Sequence, residues 1–300
     1  MKVAITGSSG LIGSALVARL RVEGHSVSRI VRPGHASSAR ERLINWDPEA
    51  GKLDAAALEG HDAVVHLAGE SLAGLWTRSK RAKILASRVR GTNLLARALT
   101  GLRQPPTVLV SASAIGYYGD RPSDELLDEA AERGTGFLSD VVVEWEAAAR
   151  QVEAAGIRIV NPRFGPVLSP KGGALPLMLP AFKLGLGARL GSGRQVWSWV
   201  GLDDVVGAII HTLNTPSIAG PVNVVSPNAV TNAEFTDTLA EVLHRSAWMI
   251  APAFALKLIA GDMAKEMLLS GAHVVPRKLS DTGYTFRQAL LEPALRAMLS

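Results

Sequence analysis

Apolar positions along the chain follow two rhythms. Short runs at 3–6, 26–31, 63–67 and 107–111 are mostly apolar and β-prone. Between and after them, at 13–21, 79–100 and 140–155, apolar residues return every three or four positions. Unalternating short runs suit strands buried on both faces, and the longer period suits helices with one packed face. A further strand is expected at 157–161. Strands alternating with helices predict βαβ crossovers and a parallel sheet, an α/β protein. Past Arg163 the pattern changes. Gly and Pro crowd 165–193, which reads as loops and short helices laid over the sheet. Helices follow at 203–214, 233–243, 253–270 and 288–299, with a short strand at 222–225. Asp203-Asp204 reads as the cap of the first of these, and Thr231 and Glu234 have the spacing of a capping box opening the second.

The first strand runs directly into Gly7-Ser8-Ser9-Gly10-Leu11-Ile12-Gly13, and a helix follows at once. A strand, a G-x-x-G-x-x-G turn and a helix in that order suit a dinucleotide pyrophosphate. The glycines allow a tight turn, close approach of backbone to phosphate and close helix–strand packing. The helix start offers free N–H groups and the positive end of its dipole.

Composition narrows the chemistry. Cysteine is absent, which removes disulfides, zinc–thiolate sites and cysteine nucleophiles and is compatible with an intracellular, cytoplasmic setting. The N-terminus reads as the first strand rather than a signal peptide. No apolar run reaches the roughly 18 residues of a membrane span. The net charge of +5 is dispersed, and its densest cluster, Lys80-Arg81 with Lys83, lies in a helical pattern. Neither a nucleic-acid nor a membrane partner is expected, and the chain is read as a monomer or homodimer acting on a small molecule. His61, His66 and His211 are scattered and form no metal pattern.

These motifs together resemble the extended short-chain dehydrogenase/reductase superfamily, specifically its epimerase-family subgroup of NAD(P)-dependent, nucleotide-sugar-epimerase-like proteins. The marks are the 6–13 loop, Asn45-Trp46-Asp47, the 62–70 segment, Gly91-Thr92, the 111–119 segment, Trp145-Glu146 and Asn161-Pro162-Arg163. Further marks are the 172–176 and 190–195 segments, Asp203-Asp204 and the 276–279 segment. The resemblance implies a doubly wound Rossmann domain over 1–164, its core completed by later strands, and a smaller substrate-binding region over 165–300. It implies an oxidoreductase or epimerase-like enzyme acting on a sugar, nucleotide-sugar or small carbonyl or hydroxyl compound.

The second strand ends at Arg32, with Arg29 nearby and no acidic residue. An acid there would bind the ribose hydroxyls of NAD, whereas an arginine suits the 2′-phosphate of NADP, so NADP is expected over NAD and Arg32 is its reader. By resemblance, Leu67-Ala68-Gly69 lies along the adenine-side ribose and phosphates. Arg88 stands where relatives often carry asparagine and could reach phosphates, or be a surface arginine. Arg163 could contact the cofactor or an anionic substrate, or pair with Glu144 or Glu146.

The superfamily's catalytic Tyr-x-x-x-Lys is missing. The residues four places after the three tyrosines are Arg121, Pro122 and Gln288, and Phe137 or a neighbour occupies the expected tyrosine position. Ser113, Tyr117 and Tyr118 are the replacement candidates, with hydroxyls able to polarise a carbonyl and donate a proton. In the 190–195 loop, Arg194 is a phosphate-pairing candidate and Gln195 a sugar or base contact. The loss of the pair leaves a second reading open, a catalytically silent NADP(H)-binding sensor or regulator.

Overall fold

Successive residues of the first strand are committed to opposite hydrophobic layers. In β1 (Lys2–Thr6), Val3 and Ile5 pack into one core and Ala4 into the other. The same division holds in β5 (Ala63–His66) and β6 (Val108–Ser111), where Val64 and Leu109 face away from Val65 and Val110. Side chains alternate across a strand, so a run without polar positions requires cover on both faces.

The cover comes from helices. The structure, a computed structural model describing residues 1–34 and 42–300, places α1 (Leu11–Val22) and α5 (Leu202–Asn214) on one face. On the other lie α2 (Arg78–Thr100) and α3 (Phe137–Arg150), together with the turn that follows α3. The sheet is completed by β2 (Ser26–Val31), β3 (Arg42–Asp47), β4 (Lys52–Leu53), β7 (Ser113–Ala114), β8 (Arg158–Phe164) and β9 (Gly220–Val224). Its order is β9-β8-β6-β5-β1-β2-β3-β4, with β7 paired to β8, and every pairing is parallel except β3 with β4. This is the doubly wound Rossmann arrangement. The order reverses between β1 and β5, which puts the ligand-binding crevice of such sheets at the carboxyl ends of those two strands.

The later half contributes β9 and α5 to this layer structure and adds α4 (Leu175–Lys183), α6 (Asn232–Val242), α7 (Ala253–Met263), α8 (Arg277–Asp281) and α9 (Leu291–Leu299). The Thr231–Glu234 capping box opens α6 as expected. Three expectations change. β3 was not anticipated as a strand; its Trp46 is buried and meets His66 edge-on. The helix expected over 253–270 breaks at Gly261, whose φ of 56° and ψ of −134° are not helical, and a π-turn covers Ala264–Leu268. The final helix starts at Leu291 rather than 288.

Asp204 is likewise not a cap. It sits in the first turn of α5, buried, and its carboxylate accepts from the backbone N–H groups of Arg287 and Gln288, both at 2.8 Å, and from the Tyr284 hydroxyl at 3.0 Å. One carboxylate therefore fastens the C-terminal segment to the sheet's helical layer. Asp204→Ala leaves the Arg287 and Gln288 N–H groups without a partner, while the Tyr284 hydroxyl keeps the Asp204 carbonyl at 3.1 Å, and is expected to lower unfolding free energy by about 2–4 kcal/mol. A urea midpoint equal to that of the parent would show that the fastening is superfluous.

Candidate functional site

At the switch point, the chain's own geometry forms a cradle. Gly7 has φ +65°, and a Cβ there would lie 2.8 Å from the Ala68 nitrogen and the Leu67 carbonyl carbon. A Cβ on Gly13 would run into the Gly7 carbonyl oxygen. Glycine is required at both, at Gly7 by conformation and close approach and at Gly13 by packing. Gly10 is the N-cap of α1, no side chain caps that helix, and no acid lies in its first turn. By contrast Thr77 caps α2 and Thr231 caps α6. The leading N–H groups of α1, at Leu11 and Ile12 beside Ser9, are thus left for an external anion.

Below the loop runs a buried chain of hydrogen bonds. The Thr6 hydroxyl accepts from the backbone N–H of Leu67 at 3.0 Å and of Ala68 at 3.2 Å, and lies 2.7 Å from His66 Nδ1. His66 Nε2 lies 3.0 Å from the Thr92 hydroxyl, which donates to the Arg88 carbonyl at 2.6 Å. Each hydroxyl has one proton. Thr92 spends its own on Arg88, so Nε2 carries the imidazole proton and Thr6 donates to Nδ1. The chain ties the ends of β1 and β5 to α2 and holds Leu67-Ala68-Gly69 in place. Burial pushes His66 down to about 4, so it is a neutral structural element.

Arg88 is not a surface arginine. It is half-buried beneath Gly69, where a Cβ would lie 3.5 Å from its Cζ, and its Nη1 donates to the Glu70 and Ile84 carbonyls at 3.1 and 3.2 Å. It lies over the Trp145 ring at 5.0 Å. Burial lowers it to about 10, which keeps it cationic at neutral pH. Arg32 is exposed just beyond β2, at the same edge of the sheet. Arg29 instead turns toward the glycine loop, its Nε donating to the Ser8 hydroxyl at 3.0 Å.

A second cluster stands at the ends of β6 and β8. Ser113 pairs with Arg163 in the β7–β8 register. The Ser113 hydroxyl donates to Glu146 Oε1 at 2.6 Å, and Arg163 grips the same carboxylate through Nε at 2.8 Å and Nη2 at 2.9 Å. All three are buried. Burial opposes the charge on Arg163, and the Glu146 carboxylate more than offsets this, holding it above the ordinary arginine value. The pairing with Glu146 is the one the sequence held as the alternative to a cofactor contact. It also corrects the expectation for Ser113, whose single proton is committed to Glu146 and is not available to a carbonyl.

The two tyrosines separate cleanly. Tyr118 is fully buried, its hydroxyl donating to Asn223 Oδ1 at 2.7 Å or to the Asp128 carbonyl at 3.0 Å and accepting from Arg163 Nη1 at 3.1 Å. Burial pushes it up to about 12, against the pull of Arg163. Such a hydroxyl is a structural bolt, not a proton donor to a ligand. Tyr117 is half-buried, its ring lies over the Arg163 guanidinium at 3.5 Å, and its hydroxyl makes no hydrogen bond among the described residues and is not sealed from solvent.

Phe137 opens α3, meets Trp76 edge-on at 5.3 Å and lies under Arg81. The helix start is closed by Glu266, whose carboxylate accepts from Phe137 N at 3.0 Å and Leu138 N at 2.8 Å. No local signal could reveal a partner so distant in sequence. In the 190–195 loop, Arg194 is exposed. Gln195 is not: its amide donates to the Leu190 and Leu268 carbonyls at 3.0 and 2.9 Å, so the nitrogen expected to read a sugar or base instead braces the loop.

The sheet and cradle are those of a Rossmann nucleotide-binding fold, and the chain belongs to the NAD dependent epimerase/dehydratase family, whose model matches residues 3–226. A domain of unknown function (DUF1731) matches residues 251–298. The chain is 42% identical over 294 residues to the epimerase family protein Mb2239 of Mycobacterium bovis, covering 98% of this chain and 96% of that protein. The crystal structure of human epimerase family protein SDR39U1 (isoform 2) with NADPH superposes with a TM-score of 0.90 at 34% identity, over 99% of both chains. A nucleoside-diphosphate sugar epimerase from Corynebacterium glutamicum gives 0.81 at 34% identity, over all of this chain and 58% of that one. NAD(P) binding is the family property that the cradle serves.

The His66 chain has a consequence for stability. Below the ordinary value of 6.5 the unfolded chain takes up a proton that the folded protein refuses until about 4. The contribution is therefore intact above pH 6.5 and is lost as pH falls toward 4, by about 3 kcal/mol. Unfolding free energy measured by urea between pH 7 and pH 4 should decline with this slope, and His66→Gln should flatten it. An unchanged slope in the variant would assign the decline to other groups.

Proposed function

We propose that the protein is an NADP(H)-dependent oxidoreductase in which Tyr117 replaces the missing catalytic tyrosine. The observation that carries this reading is the open Tyr117 hydroxyl near the same sheet edge as an uncapped, glycine-lined helix start. The residues fit the cofactor: Gly7, Ser9, Gly10, Leu11, Ile12 and Gly13 cradle a diphosphate. Leu67, Ala68 and Gly69 line the adenine side, and Arg88 sets a cation beneath them. Arg32 reads the 2′-phosphate. The human relative crystallised with NADPH supports NADP over NAD.

A bound nicotinamide supplies hydride chemistry to a carbonyl or hydroxyl carbon. Tyr117 exchanges the matching proton with the substrate oxygen, and water restores it. Arg163 fixes the Tyr117 ring by cation–π contact, and Glu146 fixes Arg163. Ser113, its proton spent, accepts hydrogen bonds rather than donating them. The alternative, a cofactor sensor without turnover, is favoured by Phe137 at the expected tyrosine position. The deciding experiment is NADPH titration followed by nicotinamide absorbance across a carbonyl panel, where tight binding without turnover selects the sensor.

Tyr117→Phe is expected to lower kcat at least about 100-fold while leaving NADPH affinity unchanged. Tyr118→Phe removes a donor from buried Asn223 and should instead cost about 1–3 kcal/mol of stability. A Tyr117→Phe variant with full turnover would remove Tyr117 from the mechanism.

Arg32→Glu is expected to shift the NADP/NAD affinity ratio toward NAD by at least tenfold, about 1.4 kcal/mol. An unmoved ratio would mean that another group reads the phosphate. Gly10→Val is the cleaner probe of the cradle, since a side chain at Gly13 meets backbone and disturbs folding. It should abolish NADPH binding in a folded protein.

A further inference from the structure

Among the described residues, several polar groups at the end of β8, beside the start of α3 and in the 190–195 loop are engaged within the protein. Ser113 and Arg163 are held by Glu146, Gln195 by two carbonyls, and Lys80 by Glu70 at 2.7 Å. Arg81 pairs with Asp262, and Glu266 is taken up by the start of α3. A sugar needs many convergent hydrogen-bond partners, and groups already engaged with one another have part of their capacity spent.

The remaining surface there is apolar. Leu138 packs against Gly116, the neighbour of Tyr117, and would lie 3.1 Å from a Cβ at that glycine. Leu138 and Phe137 are half-buried, and with Met263 they pack against the buried Trp76. Two exposed apolar side chains adjoin these groups in the chain, Leu75 (62% exposed) next to Trp76 and Met267 (39% exposed) next to Glu266, which closes the start of α3. Through Leu138 this apolar cluster reaches Gly116, one residue from the free Tyr117 hydroxyl, which sets one polar handle beside an apolar wall.

Resting on the oxidoreductase reading above, we propose that the substrate is an apolar ketone or aldehyde. It lies between the first turn of α3 and the Met263–Met267 side, its carbonyl oxygen at Tyr117. The rival ligand, a nucleotide sugar, has exposed Arg194 as a candidate partner for its phosphates.

The test is calorimetric titration of the full chain saturated with NADPH, using geranylacetone and UDP-glucose as probes. Saturable binding of geranylacetone without binding of UDP-glucose is expected. Met267→Glu, a change at the exposed rim, should weaken the ketone about tenfold or more by placing a charge on the apolar wall, with NADPH affinity unchanged. Leu75→Glu is the second variant should the first disturb the π-turn. Binding of UDP-glucose, or NADPH binding with neither probe bound, overturns the apolar assignment and leaves the cofactor reading standing. So does ketone binding that both rim variants leave unaltered. Failure of NADPH itself to bind overturns both.

Discussion

The structure depends on how closely the backbone can approach itself at the end of β1. Gly7 turns with positive φ directly beneath Leu67 and Ala68, and α1 is packed so tightly against that turn that Gly13 has no room for a side chain. This crowding produces three results together. It seats α1 on the sheet, aims an uncapped helix start outward, and brings the segment after β5 alongside. The Thr6–His66–Thr92 chain then satisfies the polar groups that such crowding would strand in the interior. A buried backbone N–H without a partner costs as much as the packing gains, so the glycines and the hydroxyl chain are one solution rather than two.

What the sequence conveyed followed the range of its signals. Local periodicity located β1, β2, β5 and β6 and the helices between them, because strands buried on both faces have a composition that nothing else imitates. It missed β3, whose Asn45 and Asp47 interrupt the apolar run while Ile44 and Trp46 supply its buried face. The glycine cradle was legible because conformation and close approach are written in the glycines themselves. Partnerships were not. Asp204 looked like a cap because acids at helix starts usually are, yet its donors lie more than eighty residues later. Gln195, Ser113 and Glu266 similarly have roles set by partners brought close only in three dimensions.

The same partnerships explain why the C-terminal portion is integral to the fold rather than an appendage. Asp204 holds the 284–288 segment, Glu129 accepts from the backbone N–H groups of Asn223 and Lys278, and Ser198 both donates to Ala272 and accepts from Val274. Asn223, on the last strand of the sheet, also donates to the Val275 carbonyl. Residues matched by the domain of unknown function are thus joined by buried polar contacts to those matched by the epimerase model.

The arrangement of Ser113, Tyr117, Glu146 and Arg163 bears on whether losing Tyr-x-x-x-Lys silenced the site. The Arg163 guanidinium lies 3.5 Å over the ring of Tyr117, whose hydroxyl is free among the described residues. Burying Arg163 is costly, and Glu146 offsets that cost only by being buried as well. If the pair served packing alone, Tyr118 would suffice as its third member, since it already accepts from Arg163 and closes the network against Asn223. The second tyrosine, stacked on the same guanidinium with its hydroxyl unbonded among the described residues, is the element that this network does not require. Under the proposed function, the ion pair is the foundation of Tyr117, and the tyrosine missing from α3 is a function moved to the turn after β7.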